Sequence, residues 1–133
     1  MDKCIFCQIA NKQKPAMVVY ETDKVLCFLP KKIEVYGHTL IIPKKHFADI
    51  YDISEEILSE LATVSKKLAI AYKEKIGATG INLVHASGRD GEQSVFHFHF
   101  HLLPRFQNDG LKTWPQLPKT EVDAEELFKK LKD

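Results

Sequence analysis

Three histidines alternate with phenylalanines in the last third of the chain: His97, His99 and His101. The surrounding segment, residues 93–105, is rich in aromatic residues and has a period of two, which predicts a β-strand. Because successive side chains of a strand point to opposite faces, the three imidazoles should share one face. Histidine is not a strong strand former, so this face indicates chemistry rather than packing. The other face is predicted to enter the core through Phe96, Phe98, Phe100 and Leu102.

Two kinds of chemistry would use such a face. Alternate histidines can bind a metal ion, or neutral imidazoles can act as nucleophile and as general acid or base, because their unperturbed pKa lies near neutral pH. Gln93 and Ser94 precede the strand and follow a loop, residues 86–92, that contains two glycines. Hydroxyl and backbone N–H donors that converge in this way suit an anion such as phosphate.

A second set of candidate ligands lies near the N-terminus. Cys4 and Cys7 have the spacing of metal ligands, and three cysteines in a reducing compartment indicate metal or redox chemistry before a disulfide. A closed zinc site needs four such ligands, and His46 with one of the alternating histidines, for example His97, would complete it. The alternative arrangement places two or three of the alternating histidines on one catalytic metal and leaves both cysteines without a partner.

The remaining pattern predicts the elements that position these residues. A short helix or turn over residues 4–10 is followed by short apolar strands. Apolar residues at steps of three and four predict a long helix from about Ile53 to Ile76, with Asp52 and Glu55 as a capping box and Gly77 as its end. Thr120 and Asp123 resemble the cap of a short C-terminal helix. The predicted strands are Met17–Glu21, Val25–Leu29, which places Cys27 in the core, Thr39–Pro43 and Gly80–His85.

Length and composition exclude several classes of protein. A chain of 133 residues fits a single domain, residues 1–133. With 44% hydrophobic residues, 28% charged residues and a net charge of +1, it has the composition of an ordinary globule and not of a protein that coats nucleic acid. There is no apolar run long enough to span a membrane, and the N-terminus opens without a signal-peptide core. The sequence therefore predicts a cytoplasmic protein.

The chain resembles the histidine triad (HIT) family of nucleotide hydrolases and transferases, in its zinc-binding bacterial-type branch. The mark of that family is His-x-His-x-His followed by two apolar residues, which residues 97–103 match. Other segments match in register, so the resemblance covers nearly the whole chain. They are Cys4-Ile5-Phe6-Cys7, Val19-Tyr20-Glu21, Gly37-His38-Thr39-Leu40, Ile42-Pro43-Lys44-Lys45-His46, Gln93-Ser94-Val95 and Pro104-Arg105.

The resemblance implies a fold, a metal and an assembly. The fold would be α+β, with a meander-like antiparallel sheet and one long helix. Two chains would pair so that their sheets become continuous, giving a homodimer. The substrate would be a small nucleotide, with no nucleic acid polymer or membrane as partner and no catalytic metal. A structural zinc ion would bind Cys4, Cys7, His46 and His97.

The resemblance also implies a mechanism. His99 would attack the α-phosphorus of a nucleoside phosphoramidate or a dinucleoside polyphosphate, and water would hydrolyse the resulting nucleotidyl-imidazole. His101 would contact the phosphate and help proton transfer to the leaving group. Ser94 would offer its hydroxyl to the transferring group, and His38 matches a family histidine near the site. Phosphate contacts are implied for Gln93, Ser94 and His101, and a base pocket for Ile5, Phe6 and Phe28.

Three positions depart from the family pattern. Pro30 stands where many members have an aspartate that binds the ribose hydroxyls, Ala86 where asparagine is common, and Glu92 where glycine is usual. None of the three is the nucleophile. They favour an alternative function, a zinc-stabilised nucleotide-binding sensor with weak or no catalysis. A third hypothesis, a catalytic metalloenzyme, predicts that chelation abolishes turnover without unfolding the chain.

Overall fold

The computed structural model describes residues 3–133. Met1 and Asp2 lie outside the described residues, and the prediction that the N-terminus has no signal peptide falls partly on them. The fold is α+β, as the resemblance implied. Five antiparallel strands form one sheet in the order β1-β2-β3-β5-β4, with β4 at one edge because β5 inserts between it and β3. The elements are α1 (Ile5–Ala10), β1 (Met17–Glu21), β2 (Val25–Leu29), β3 (Thr39–Pro43), α2 (Glu55–Ile76), β4 (Gly80–His85), β5 (Phe100–Arg105) and α3 (Ala124–Leu131).

The first four strands have the predicted bounds, but the helix caps differ from the prediction. The N-cap of α2 is Ser54, whose hydroxyl accepts from the N–H of Ile57. Asp52 instead accepts from two backbone N–H groups of the preceding turn. The predicted capping box is therefore wrong, whereas Gly77 ends the helix in the left-handed conformation as predicted. Asp123 caps α3 in place of Thr120.

The sheet has apolar residues on both faces, because successive side chains of a strand point to opposite faces. Val25 and Cys27 of β2 pack into the cluster beneath α2, and Leu26 and Phe28 pack into the cluster beneath α1. This confirms Cys27 as a core residue. The long helix therefore covers one face, and the short N-terminal helix covers part of the other. No helix within residues 3–133 is long and apolar enough to cross a membrane.

The histidine segment is less regular than predicted. β5 begins only at Phe100. Its pairing with β3 starts where Phe100 lies opposite Ile41, and its pairing with β4 starts where Phe100 lies opposite His85. Before that point the backbone leaves the sheet, and the N–H of Phe98 donates to the carbonyl of Phe47, 2.6 Å away. The placement of Phe96 in the core was wrong, since 44% of it is exposed, whereas Phe98 and Leu102 are fully buried.

Candidate active site and metal centre

Four predicted metal ligands converge at the end of the sheet beside α1. The Sγ of Cys4 lies 3.3 Å from Nδ1 of His97, the Sγ of Cys7 lies 3.3 Å from Nδ1 of His46, and the two Nδ1 atoms are 3.2 Å apart. All four donor atoms lie within 4.8 Å of one another. A tetrahedral zinc ion would separate such ligands by roughly 3.3–3.8 Å. The donor set thus fits a small tetrahedral cation.

Surrounding groups prepare these donors for a metal. The Nε2–H of His97 donates to the carbonyl of Pro43 at 2.8 Å, which leaves the lone pair on Nδ1, the nitrogen that faces the cysteines. Burial, and the neighbouring Cys4, raise the pKa of Cys7 to about 11, so without a cation its thiolate is unfavourable. A divalent cation would reverse this preference, because thiolate is the form that binds metal.

His99 is held in one tautomer. Its Nδ1–H donates to the carbonyl of His97 at 2.8 Å, so in the neutral ring the free lone pair is on Nε2. Burial lowers the pKa of His99, which favours that neutral form. The ring of Phe6 packs edge-on against it, with centroids 5.2 Å apart. An uncharged imidazole with a fixed, unprotonated nitrogen is suited to nucleophilic attack.

His101 and His38 form a pair beside His99. Nε2 of His38 lies 3.0 Å from Nδ1 of His101, and the His99 and His101 ring centroids are 4.9 Å apart. Nδ1 of His38 is buried without a hydrogen-bond partner among the described residues. Burying Nδ1 as an unpaired lone pair costs less free energy than burying it as an unpaired N–H. We therefore assign the proton of His38 to Nε2. In its neutral form His101 then accepts at Nδ1 and carries its proton on Nε2, where it can donate a hydrogen bond.

Gln93 and Ser94 differ in what they offer a ligand. The side chain of Gln93 is buried, accepts from the N–H of Gly88 at 2.8 Å, and donates to the carbonyls of Ala48 and Val95. Gln93 therefore fixes the loop before the histidines. Ser94, the next residue, is exposed. Glu92 is exposed and has a positive φ of 67°.

A cavity of about 670 Å³ lies between α1, the start of β1 and the end of β2. It includes all three residues predicted for the base pocket, Ile5, Phe6 and Phe28. Phe6 also contacts the His99 ring, so the cavity adjoins the predicted nucleophile. The lining also includes Pro30, which the resemblance had placed at the ribose position. Sequence reasoning did not predict the other lining residues, and of these only Ile9, one turn after Ile5, had a signal in the helical spacing. The rest of the lining is Lys14, Pro15, Ala16, Met17, Leu29, Lys31 and Leu40.

The fold and the site define a class of small α+β proteins in which a histidine cluster adjoins both an apolar cavity and a Cys₂His₂ set. The chain belongs to the HIT family, since the family model described as HIT domain matches residues 11–108. An uncharacterized HIT-like protein of Methanocaldococcus jannaschii is 40% identical over 129 residues, which cover 97% of this chain and 98% of that one. The adenosine 5'-monophosphoramidase of Saccharomyces cerevisiae is 37% identical, over 95% of this chain and 77% of that protein.

Solved structures agree with this assignment. A HIT family protein from Bacillus anthracis has a TM-score of 0.85 at 40% identity, covering 96% of this chain and 92% of that one. A Zn-bound histidine triad family protein from Mycobacterium smegmatis has a TM-score of 0.81 at 34% identity, covering 94% of this chain and 87% of that one. The predicted fold and family are therefore confirmed.

Proposed function

We propose that the protein is a nucleotidyl hydrolase or transferase that cleaves at the α-phosphate of a nucleoside phosphoramidate or a dinucleoside polyphosphate. The observation that carries the proposal is the geometry of His99, a buried neutral imidazole whose Nδ1–H is fixed and whose Nε2 is unprotonated. Membership in a family that includes an adenosine 5'-monophosphoramidase supports the reaction class.

The proposed reaction has two displacements. Nε2 of His99 forms a bond to the α-phosphorus while the bond from phosphorus to the leaving nitrogen or oxygen breaks. The negative charge of the bound phosphate favours the imidazolium form of His101, which gives a proton to the leaving group and returns to the neutral ring. Water then attacks the nucleotidyl-imidazole, its proton returns to His101, and the nucleoside monophosphate leaves. We propose that the Ser94 hydroxyl donates to the phosphoryl oxygens, on which charge develops.

Intact-protein mass spectrometry tests this function. The protein is incubated with adenosine phosphoramidate or with a dinucleoside tetraphosphate, then weighed without exposure to acid. We expect the mass of one nucleotidyl group to appear on the chain and to disappear as substrate is consumed. Pro30, Ala86 and Glu92 favour the alternative, a nucleotide-binding sensor. Tight nucleotide binding with neither added mass nor turnover would support the sensor and contradict the enzyme.

For the metal centre we propose a structural zinc ion on Cys4, Cys7, His46 and His97. The convergence of the four donors supports the ligand set, and the Zn-bound relative supports the choice of metal. Within the described residues, the cluster takes one of the three alternating histidines and leaves the other two for chemistry. This division favours a structural role for the metal over a metalloenzyme.

The lining of the cavity leads to a prediction about the sugar of the substrate. The lining residues that the structure describes include two lysines and no carboxylate, and Pro30 has no side-chain acceptor for ribose hydroxyls. We therefore expect 2'-deoxyadenosine phosphoramidate to have a kcat/KM within about threefold of the ribonucleoside, because a lost hydrogen bond to a charged group would cost tenfold or more. The variant Pro30→Asp should gain a preference of about tenfold for the ribonucleoside. A strong ribose preference in the wild type would contradict this account.

We propose a homodimer that pairs through the exposed edge strand β4. Leu83 and Val84 on this strand are exposed apolar residues, and an unpaired edge invites pairing. Analytical ultracentrifugation should give twice the chain mass of 15.2 kDa. Val84→Lys should raise the dimer dissociation constant about tenfold or more, since an edge lysine opposes pairing. Val18→Lys is the matched control, because Val18 is similarly exposed on the opposite edge strand β1. Equal effects of both variants would contradict the assignment.

We also propose that the protein resides in the cytoplasm. Cys4, Cys7 and Cys27 are all free thiols, and two of them serve as candidate metal ligands. A reducing compartment keeps cysteines in that state.

A further inference from the structure

A chain of three hydrogen bonds ends at the backbone of the predicted nucleophile. The N–H of Ile50 donates to Oγ of Ser87 at 2.9 Å, and Oγ of Ser87 lies 2.5 Å from Nε2 of His85. Nδ1 of His85 lies 2.9 Å from the carbonyl oxygen of His99. These hydrogen bonds thus connect the loop after β3, through the side chains of Ser87 and His85, to the backbone of His99.

The direction of each bond follows from the groups involved. A carbonyl can only accept, so the neutral ring of His85 carries its proton on Nδ1 and has a lone pair on Nε2. The Ser87 hydroxyl therefore donates to Nε2, and its oxygen is free to accept from Ile50. Every member has the partner that it requires. This arrangement selects one tautomer of His85 and one position for its ring.

The ring of His85 also packs on both neighbours of His99. It stacks on Phe98, with centroids 4.3 Å apart and planes inclined by 25°, and it meets Phe100 edge-on at 5.8 Å. The pairing of β4 with β5 ends at His85 opposite Phe100, so His99 lies one residue beyond it. The side chain of His85 therefore bonds to the backbone of His99, the predicted nucleophile, at the point where the pairing of β4 with β5 has ended.

We propose that His85 is a positioning residue for nucleophilic attack, which holds the backbone of His99 through its Nδ1–H and so fixes the approach of Nε2 of His99 to phosphorus. The inference rests on the proposed function of His99. A hydrogen bond to the backbone of a reacting residue contributes to rate through orientation rather than through substrate binding.

Paired variants of His85 separate the hydrogen bond from the packing. His85→Phe retains an aromatic ring against Phe98 but loses the N–H, whereas the amide N–H of His85→Asn can still reach the carbonyl of His99. We expect His85→Phe to lower kcat for adenosine phosphoramidate about 10- to 100-fold with KM changed less than about threefold. His85→Asn should recover most of that loss. Nitrogen NMR of the wild type should show the proton of His85 on Nδ1.

The outcomes distinguish this proposal from the function on which it rests. Absence of a nucleotidyl adduct on the wild type would overturn the proposed function and with it the role of His85. Adduct formation by the wild type, together with an unchanged kcat in His85→Phe, would overturn the role of His85 alone. The same conclusion would follow if His85→Asn were as slow as His85→Phe, or if the wild-type proton were on Nε2. Melting temperatures of both variants report whether a loss of rate reflects unfolding.

Discussion

Replacing His99 with alanine is expected to remove the nucleotidyl adduct completely and to lower kcat by about 10⁴-fold or more, as the loss of a nucleophile does in other covalent enzymes. The physical reason is that the other groups of the site can bind and polarise the phosphate but cannot form the bond to phosphorus. The fold should survive, because the four donor atoms of the metal cluster come from other residues. Intact mass and single-turnover rate on adenosine phosphoramidate are the measurements.

His101→Ala is the matched comparison for His99→Ala, because His101 is the neighbouring histidine of the same segment. Loss of a positioned proton donor costs about 10²–10⁴-fold, so the adduct should still form, but slowly. Burial lowers the pKa of His101 to about 4 in the free protein, and the negative charge of a bound phosphate would raise this pKa, as a proton donor requires. An adduct that persists in His99→Ala would contradict the assigned nucleophile. Loss of metal from His99→Ala would contradict the assigned ligand set.

Replacing Cys4 with serine is expected to remove zinc and to destabilise the chain, while the rate per folded molecule falls much less. A ligand present at a thousand times its Kd stabilises the native state by about 4 kcal/mol, and this contribution would be lost. A metal on these four donors would tie the beginning of α1 to His46 after β3 and to His97 before β5, so its loss should loosen the N-terminal segment. Metal content per chain and the free energy of unfolding with and without chelator are the measurements.

Cys27→Ala is the matched control, because Cys27 is the third cysteine and lies outside the metal cluster. Burial raises the pKa of its thiol to about 12, and it packs in the core beneath α2. This variant should lose some stability through a smaller core side chain yet retain about one zinc per chain. Full zinc content in Cys4→Ser would contradict the structural site. Immediate loss of turnover on chelation, in a chain that stays folded, would support the metalloenzyme.

Much of the fold could be predicted from local pattern. The bounds of β1 to β4 followed from short apolar runs between turn residues, and α2 followed from its apolar stripe. The errors arose where a tertiary contact competed with a local one. Residues 93–99 have the pattern of a strand. In the structure, however, the N–H of Phe98 donates to the carbonyl of Phe47, and His97 contacts the cysteines. Strand β5 therefore begins only at Phe100. Ser54 and Asp52 are both good caps, and only the geometry of the turn decided between them.

The sequence by itself determined which side chains are available for chemistry, and the period of a strand predicted which of them share a face. It thus indicated His99 and His101 as a pair, and Cys4 with Cys7. Only the tertiary structure decided which distant groups meet them. Hydrogen bonds from His38 to His101 and from His85 to the backbone of His99 join residues that are close only after the sheet has formed, whereas the bond from His99 to the carbonyl of His97 is local. Those contacts select the tautomers, and the tautomers determine which nitrogen can attack and which can donate a proton.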